Sequence, residues 1–162
     1  MYDVCVGYLI ARRDGQQCVL LGEKQRGLGD GKVVAPGGKL EPGETALDAM
    51  VRELQEETGI ELAPEMLREV AIVNYTFPTR PSLSQRSHVF VADEVAGDPV
   101  DSDELRNWWC PVDDVPYERM WDDAKHWVPH VLDGATGLEL NYTFGADLNT
   151  VVDERVTGNG RS

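Results

Sequence analysis

The sequence predicts a single α/β domain with a mixed β-sheet and two helices. Its 162 residues suit one domain and are enough to bury a core. Most apolar residues fall in short runs rich in β-branched and aromatic side chains, which is typical of strands. Only residues 45–58 and 122–132 place apolar side chains at helical spacing. No repeat and no linker divides the chain, so we expect one folded unit.

A strand pair begins the predicted fold. Residues 4–12 and 17–24 are apolar and strand-like, and Asp14-Gly15 between them is a hairpin signal. A glycine-rich loop over 25–31 follows, and a short strand is expected over 32–35. The next loop contains residues that force turns and let the backbone approach a ligand closely: Gly37, Gly38, Pro42 and Gly43.

The first helix is expected over residues 45–58. Leu47, Met50 and Leu54 recur at helical spacing and can face a core. Gly59 is placed to cap the C-terminal end of this helix.

The second half of the chain predicts five further strands and one helix. The strands are expected over 68–77, 88–94, 107–112, 138–144 and 149–155, with a polar loop over 79–87. The helix over 122–132 contains Pro129, which predicts a kink or a shorter helix. We assign residues 1–156 to the domain and residues 157–162 to a flexible tail, because the tail has nothing to bury.

Charge and composition restrict the partners of the chain. Fifteen lysines and arginines against 29 acidic residues give a net charge of −14, which repels DNA and RNA polymers but not a free nucleotide that arrives with its metal. No apolar stretch predicts a membrane span or a signal peptide. Three cysteines in apolar runs predict reduced, buried thiols (Cys5, Cys18 and Cys110). We therefore expect a cytoplasmic monomer or small homo-oligomer.

The first helix carries clustered carboxylates. Glu53 and Glu57 are four residues apart, and Glu56 lies on the same surface. Like charges at this spacing destabilise a bare helix, whereas a divalent cation would make the cluster a binding site. Oxygen ligands favour Mg²⁺, with Mn²⁺ as a substitute. A merely solvated acidic face is the ordinary interpretation of Glu53 and Glu57 taken alone.

The surrounding pattern favours the metal site. Gly38, Glu44, Arg52-Glu53-Leu54, Glu56-Glu57 and Gly59-Ile60 stand at the spacing of every fixed position in the Nudix box. This segment resembles the Nudix family, which implies a mixed sheet sandwiched between two helices. Residues 20–29, 102–106 and 120–123 further resemble the MutT-type oxidised purine nucleoside triphosphatases of animals. The likeness extends from about residue 19 to about residue 156.

The resemblance implies a reaction and assigns roles by position. The reaction is Mg²⁺-dependent hydrolysis of oxidised purine nucleoside triphosphates, such as 8-oxo-dGTP, to the monophosphate and pyrophosphate, which sanitises the nucleotide pool. The metal ligands would be the carbonyl of Gly37 and the carboxylates of Glu53, Glu56, Glu57 and Glu104. Arg52 would orient the glutamates, and Glu44 would brace the loop. The substrate-binding residues would be Lys24, Gly38, Lys39, Trp121, Asp122 and Asp123.

Some assignments stay open at this point. Either Glu56 or Glu104 could take the proton of the attacking water. The family's purine pocket has an asparagine where Val34 stands and a second aspartate where Ala124 stands, although Asp122 could substitute for the latter. Loss of these hydrogen-bonding groups predicts weaker selectivity for the base. The alternatives are therefore a broad Nudix pyrophosphatase for (d)NTPs or other nucleoside diphosphate compounds, and a catalytically silent Nudix binding module.

Overall fold

The computed structural model describes residues 1–158, which form nine strands and two α-helices. The strands are β1 (Tyr2–Arg13), β2 (Gln16–Lys24), β3 (Val33–Val34), β4 (Gly37–Lys39), β5 (Arg68–Thr76), β6 (Gln85–Ala92), β7 (Leu105–Pro111), β8 (Leu138–Phe144) and β9 (Val151–Gly158). The helices are α1 (Ala46–Thr58) and α2 (Ala124–Leu132). Short 3₁₀ turns connect several of these elements.

The strands form one mixed sheet in the order β3-β2-β1-β6-β5-β8-β9. Strand β1 is central: it pairs in parallel with β6 and antiparallel with β2 and β4. Strand β7 pairs with β2 outside this main order. Because side chains alternate along β1, one set faces each side of the sheet.

Each side of the sheet is covered by one helix. Met50 and Leu54 of α1 pack with Leu9 and Phe90 in one core. Trp127 of α2 joins a second core on the other face. The buried odd-numbered side chains of β1, such as Leu9, belong to the first core, and the even-numbered ones, such as Tyr8, belong to the second. The predicted mixed sheet between two helices is confirmed.

Helix α1 has defined ends. The hydroxyl of Thr45 accepts a hydrogen bond from the backbone N–H of Asp48 at 3.0 Å and caps the N-terminus. Gly59 takes the left-handed conformation, with φ of 73°, and its N–H donates to the carbonyl of Gln55. These caps fix the helix within one residue of its predicted bounds.

The structure corrects several boundaries. Residues 37–39, expected as loop, form β4 because they pair with Val4–Val6 of β1. Strand β6 begins at Gln85, inside the expected loop over 79–87. Helix α2 is shorter than expected and starts at Ala124, with Pro129 inside it. Strand β9 continues through Gly158, beyond the start of the expected tail, and residues 159–162 lie outside the described residues.

Two expectations about the whole chain can be compared with the structure. All three cysteines are buried free thiols, as predicted. None of the helices in residues 1–158 is long and apolar enough to cross a membrane.

Candidate active site

A cleft of about 460 Å³ opens beside β4 and the N-terminal part of α2. The predicted site residues that line it are Lys24, Gly37, Gly38, Lys39, Trp121 and Asp123. The cleft therefore brings the loop before α1 together with the residues expected to bind a base. Aromatic and aliphatic side chains form most of the remaining wall, as is common for sites that bind small molecules.

Glu57 is the most buried carboxylate of α1. Its side chain is directed at β4, where Oε1 accepts a hydrogen bond from the N–H of Gly37 at 2.8 Å. The residue is only 7% exposed, and burial raises the pKa of Glu57 to about 7, although the Gly37 hydrogen bond opposes this effect. The neighbouring charge of Glu53 raises this pKa further. Glu57 therefore lies where added positive charge would be stabilising.

Two glycines allow this close packing. A Cβ atom on Gly37 would lie 2.0 Å from the carbonyl oxygen of Cys5 on β1. A Cβ atom on Gly38 would lie 2.4 Å from Oε1 of Glu53. A larger residue at position 37 would collide with the backbone of β1, whereas a larger residue at position 38 would displace the carboxylate of Glu53. The glycines thus set the distance between the β4 backbone and the α1 carboxylates.

Arg52 holds the other acidic groups. Its guanidinium contacts Glu44 at 2.7 Å, Glu53 at 3.0 Å and Glu56 at 3.2 Å. It also donates to the carbonyl of Lys39 at 3.1 Å. Burial raises the pKa of Glu53, and Arg52 opposes that rise. The side chain therefore ties the α1 glutamates to the loop before the helix.

Glu104 reaches the same region from the loop before β7. Its carbonyl accepts a hydrogen bond from the N–H of Gln25 at 2.9 Å, and its carboxylate pairs with Arg26 at 3.0 Å. The charge of Glu104 contributes to the raised pKa of Glu57, whereas Lys24 lowers it. These couplings show that Glu57, Glu104 and Lys24 share one electrostatic neighbourhood.

The carboxylates do not form a ready-made metal cage. In the part of the chain that the structure describes, no three His, Cys, Asp or Glu side chains converge in ligand geometry. The guanidinium of Arg52 instead contacts the carboxylates of Glu53 and Glu56. The donors nevertheless fit a hard divalent cation, because all are oxygens and because burial, with a smaller contribution from the charges of Glu53 and Glu104, raises the pKa of Glu57.

Asp123 is a buried acid with one unpaired oxygen in the cleft wall. Its Oδ2 accepts hydrogen bonds from the hydroxyl of Tyr75 at 2.8 Å and from Nε1 of Trp127 at 2.7 Å. Its Oδ1 has no partner within residues 1–158, although the residue is 1% exposed. Burial raises the pKa of Asp123, while the Trp127 and Tyr75 hydrogen bonds lower it. A ligand with a hydrogen-bonding edge could satisfy Oδ1.

The neighbouring aspartate lies elsewhere. Asp122 pairs with Lys125 at 3.0 Å and accepts a hydrogen bond from the N–H of Val151 at 2.8 Å. It lines a second cavity and not the cleft. A role of Asp122 in substrate binding stays a prediction, and in the structure both of its oxygens are directed at Lys125 and β9.

The remaining predicted residues border the cleft. Trp121 is partly exposed, and its ring packs edge-on against Phe144 with centroids 5.9 Å apart. The ammonium of Lys39 lies 4.5 Å from the ring centroid of Tyr2. Val34 and Ala124, which replace polar residues of the family's purine pocket, are also in the wall. The cleft thus offers the buried acid Asp123, together with the polar side chains of Tyr2, Tyr8, Tyr75, Gln85 and Ser87.

The match to known proteins agrees with this geometry. The model of the NUDIX domain family matches residues 1–131. The chain belongs to the NUDIX family.

Similar Nudix proteins include characterised relatives. The oxidized purine nucleoside triphosphate hydrolase of Mus musculus is 40% identical over 116 residues, which cover 72% of each chain. The protein of the same name from Danio rerio is 40% identical and covers 70% of this chain and 71% of its own. A solved structure of MutT from Bacillus halodurans is 26% identical, with a TM-score of 0.79 over 97% of this chain and 98% of that chain.

Several residues of the Nudix site were not predicted from the sequence. Tyr75 and Trp127 hold Asp123, and Arg26 pairs with Glu104. Arg26 lies within residues 20–29 and Glu104 within residues 102–106, and both stretches resemble the family. Their opposite charges could therefore have suggested an ion pair. Tyr75 carried no such signal, because its contact depends on the position of α2 over β5.

Proposed function

We propose that this Nudix domain hydrolyses purine nucleoside triphosphates, including oxidised forms such as 8-oxo-dGTP, to the monophosphate and pyrophosphate. The main support is that one cleft is lined by two groups of residues. The first group is the glycines of β4, which lie beside the α1 carboxylates, and the second is Trp121 and Asp123. The names of the mouse and zebrafish relatives agree with this substrate class.

The metal end would hold Mg²⁺. The groups that fit it are the carbonyl of Gly37 and the carboxylates of Glu53, Glu56, Glu57 and Glu104. When bound, the ion neutralises phosphate charge and lowers the pKa of a bound water. Lys24 and Lys39 line the cleft together with Gly37 and would contact the phosphates.

Proton removal would fall to one of two exposed carboxylates. Glu56 is held by Arg52, and Glu104 is held by Arg26. Either carboxylate can accept the proton of the attacking water as the new P–O bond forms and the bridge between the α- and β-phosphates breaks, which gives the monophosphate and pyrophosphate. Arg52 and Arg26 would keep their partners oriented for this role.

The base end would hold a purine. Its flat ring would stack on Trp121, and an N–H donor on its edge would satisfy the unpaired Oδ1 of Asp123. Val34 and Ala124 offer no second hydrogen bond. We therefore expect hydrolysis of purine nucleoside triphosphates with a modest preference for the oxidised base. A broad (d)NTP pyrophosphatase is the second candidate.

The deciding experiment compares kcat/KM for 8-oxo-dGTP and dGTP with Mg²⁺ and identifies the phosphate product. A preference of tenfold or more, about 1.4 kcal/mol in the transition state, together with pyrophosphate release, supports sanitisation. Equal rates favour the broad pyrophosphatase. Absence of turnover, with no Mg²⁺-dependent thermal shift in the presence of dGTP, would favour the silent binding module.

A further inference from the structure

The indole of Trp121 has a cation on one of its faces. The ammonium of Lys32 lies 4.9 Å from the ring centroid. Lys32 lines the second cavity, of about 320 Å³, and is absent from the residues that line the cleft. Trp121 itself lines the cleft. The ammonium therefore covers the indole from outside the cleft, and the side of the ring toward the cleft is left for a ligand.

The backbone fixes Lys32 in this place. Its N–H donates to the carbonyl of Gly29 at 2.8 Å, and its carbonyl accepts from the N–H of Lys24 at 2.9 Å. The carbonyl of Lys24 in turn accepts from the N–H of Gly31 at 2.8 Å. The turn between Lys24 and Lys32 is thus closed by hydrogen bonds at its base, so Lys32 is held beside a residue that lines the phosphate end of the cleft.

The same turn contacts the edge of the indole. Gly29 has φ of +85°, and a Cβ atom there would lie 3.0 Å from Cζ2 of Trp121. Phe144 contacts the ring at an interplanar angle of 84°. Lys32, Gly29 and Phe144 therefore lie against the ring and restrict its orientation. Lys32 forms no ion pair within 4.0 Å in residues 1–158, whereas its ammonium lies over the indole ring.

We propose that Lys32 is a positioning residue that sets the preference of the site for purines. A cation over one face of an indole attracts π-electron density toward itself. The opposite face then stacks more favourably on a large, electron-rich base. The inference depends on the proposed function for the identity of the base, and Lys32 acts through Trp121 without contacting the substrate.

The test measures binding of product-like nucleotides by calorimetry, without metal or turnover. Lys32→Met removes the charge and keeps the length of the side chain, whereas Lys32→Arg keeps the charge. We expect Lys32→Met to weaken dGMP binding about two- to fivefold, to weaken dCMP binding less, and to leave kcat within about twofold. Lys32→Arg should bind dGMP as the wild type does. Lys125→Met, on the other lysine of the second cavity, is the matched control and should also behave as the wild type.

Two measurements separate this role from others. Inhibition by inorganic tripolyphosphate, which has no base, should be equal in the wild type and Lys32→Met. An equal loss for tripolyphosphate would make Lys32 a phosphate contact and overturn the proposal. In a Trp121→Ala background, Lys32→Met should have no further effect on dGMP binding, and a full additional effect would also overturn it.

Failure of the proposed function gives a different result. If the wild type hydrolyses no triphosphate but Lys32→Met still weakens dGMP binding, the hydrolase assignment is wrong and the role of Lys32 stands. Unchanged dGMP affinity in Lys32→Met, with normal triphosphate turnover in the wild type, overturns the role of Lys32 alone.

Discussion

Arg52 and Glu44 form a two-point contact between α1 and the loop that precedes it. Nε of Arg52 donates to Oε2 of Glu44 at 2.7 Å, and Nη2 donates to Oε1 at 2.9 Å. Glu44 also accepts a hydrogen bond from the N–H of Glu41 at 2.8 Å. Paired contacts of this kind fix orientation as well as distance. The loop between β4 and α1 is therefore braced against the helix that carries the glutamates.

The Arg52–Glu44 contact predicts loss of stability in acid. Arg52 lowers the pKa of Glu44 from its ordinary value of 4.5 to about 2. Because the native pKa is the lower one, this stabilisation is complete above pH 4.5 and disappears as pH falls through about 2. Between about pH 6 and pH 3, the Tm of the wild type should fall more than that of Glu44→Gln. Glu41→Gln is the control and should follow the wild type, whereas equal slopes for Glu44→Gln would refute the assignment.

Glu57→Gln should remove activity and keep the fold. Glutamine retains an oxygen that can accept the Gly37 hydrogen bond, so the Tm should change little. We expect kcat/KM to fall by more than about 100-fold, since loss of an outer-shell partner alone costs up to that amount. Steady-state kinetics across Mg²⁺ concentrations would show this, with Glu61→Gln as the control. Near-native activity in Glu57→Gln would show that Glu57 is not part of the metal site.

Gly38→Ala should displace Glu53 without straining the backbone. Gly38 is not among the glycines with positive φ, so the cost of alanine comes from its Cβ atom, which would lie 2.4 Å from Oε1 of Glu53. We expect a higher Mg²⁺ concentration for half-maximal activity. Gly145→Ala is a suitable control, since its Cβ would meet Val152 of β9 at 3.1 Å and atoms of Asp147 and Thr150 at 3.7 Å, none of which lines the cleft. An unchanged Mg²⁺ requirement in Gly38→Ala would contradict the role of this contact.

Tyr75→Phe should shift the pH dependence of substrate binding. The Tyr75 hydroxyl lowers the pKa of Asp123, so its removal should raise that pKa further above the ordinary value. If ionised Asp123 accepts the purine N–H, KM should begin to rise at a higher pH in Tyr75→Phe as the solution is acidified. The variant should also lose about 1 kcal/mol of unfolding free energy with its buried hydrogen bond. Tyr117→Phe serves as the control, and an identical KM profile for Tyr75→Phe would show that Asp123 does not contact the base.

The sequence predicted the elements that have strong local signals. Helix α1 was placed within one residue because its apolar spacing, Thr45 and Gly59 all agree with one another. Strand β8 was placed at its observed bounds by alternation. Strand β4 was missed, because Gly37–Lys39 has no alternating pattern and becomes a strand only by pairing with β1. Long-range pairing of this kind leaves no trace in local sequence.

The candidate site was less predictable at its base end. Asp122 and Asp123 are adjacent acids, and sequence alone could not tell which one faces the cleft. Their roles are separated by contacts from distant strands: Tyr75 of β5 binds Asp123, and Val151 of β9 binds Asp122. The acidic helix was predictable because its carboxylates lie within five residues of one another and their spacing alone places them together.

The position of β1 at the centre of the sheet affects how the chain is assembled during synthesis. Tyr2 and Gln85 contact each other across β1 and β6, 83 residues apart. Phe90 of β6 completes the core beneath α1, so the ribosome releases the acidic helix before the strand that supports it. Closing so long a segment slows folding. Until β6 emerges, α1 lacks part of the core against which it packs.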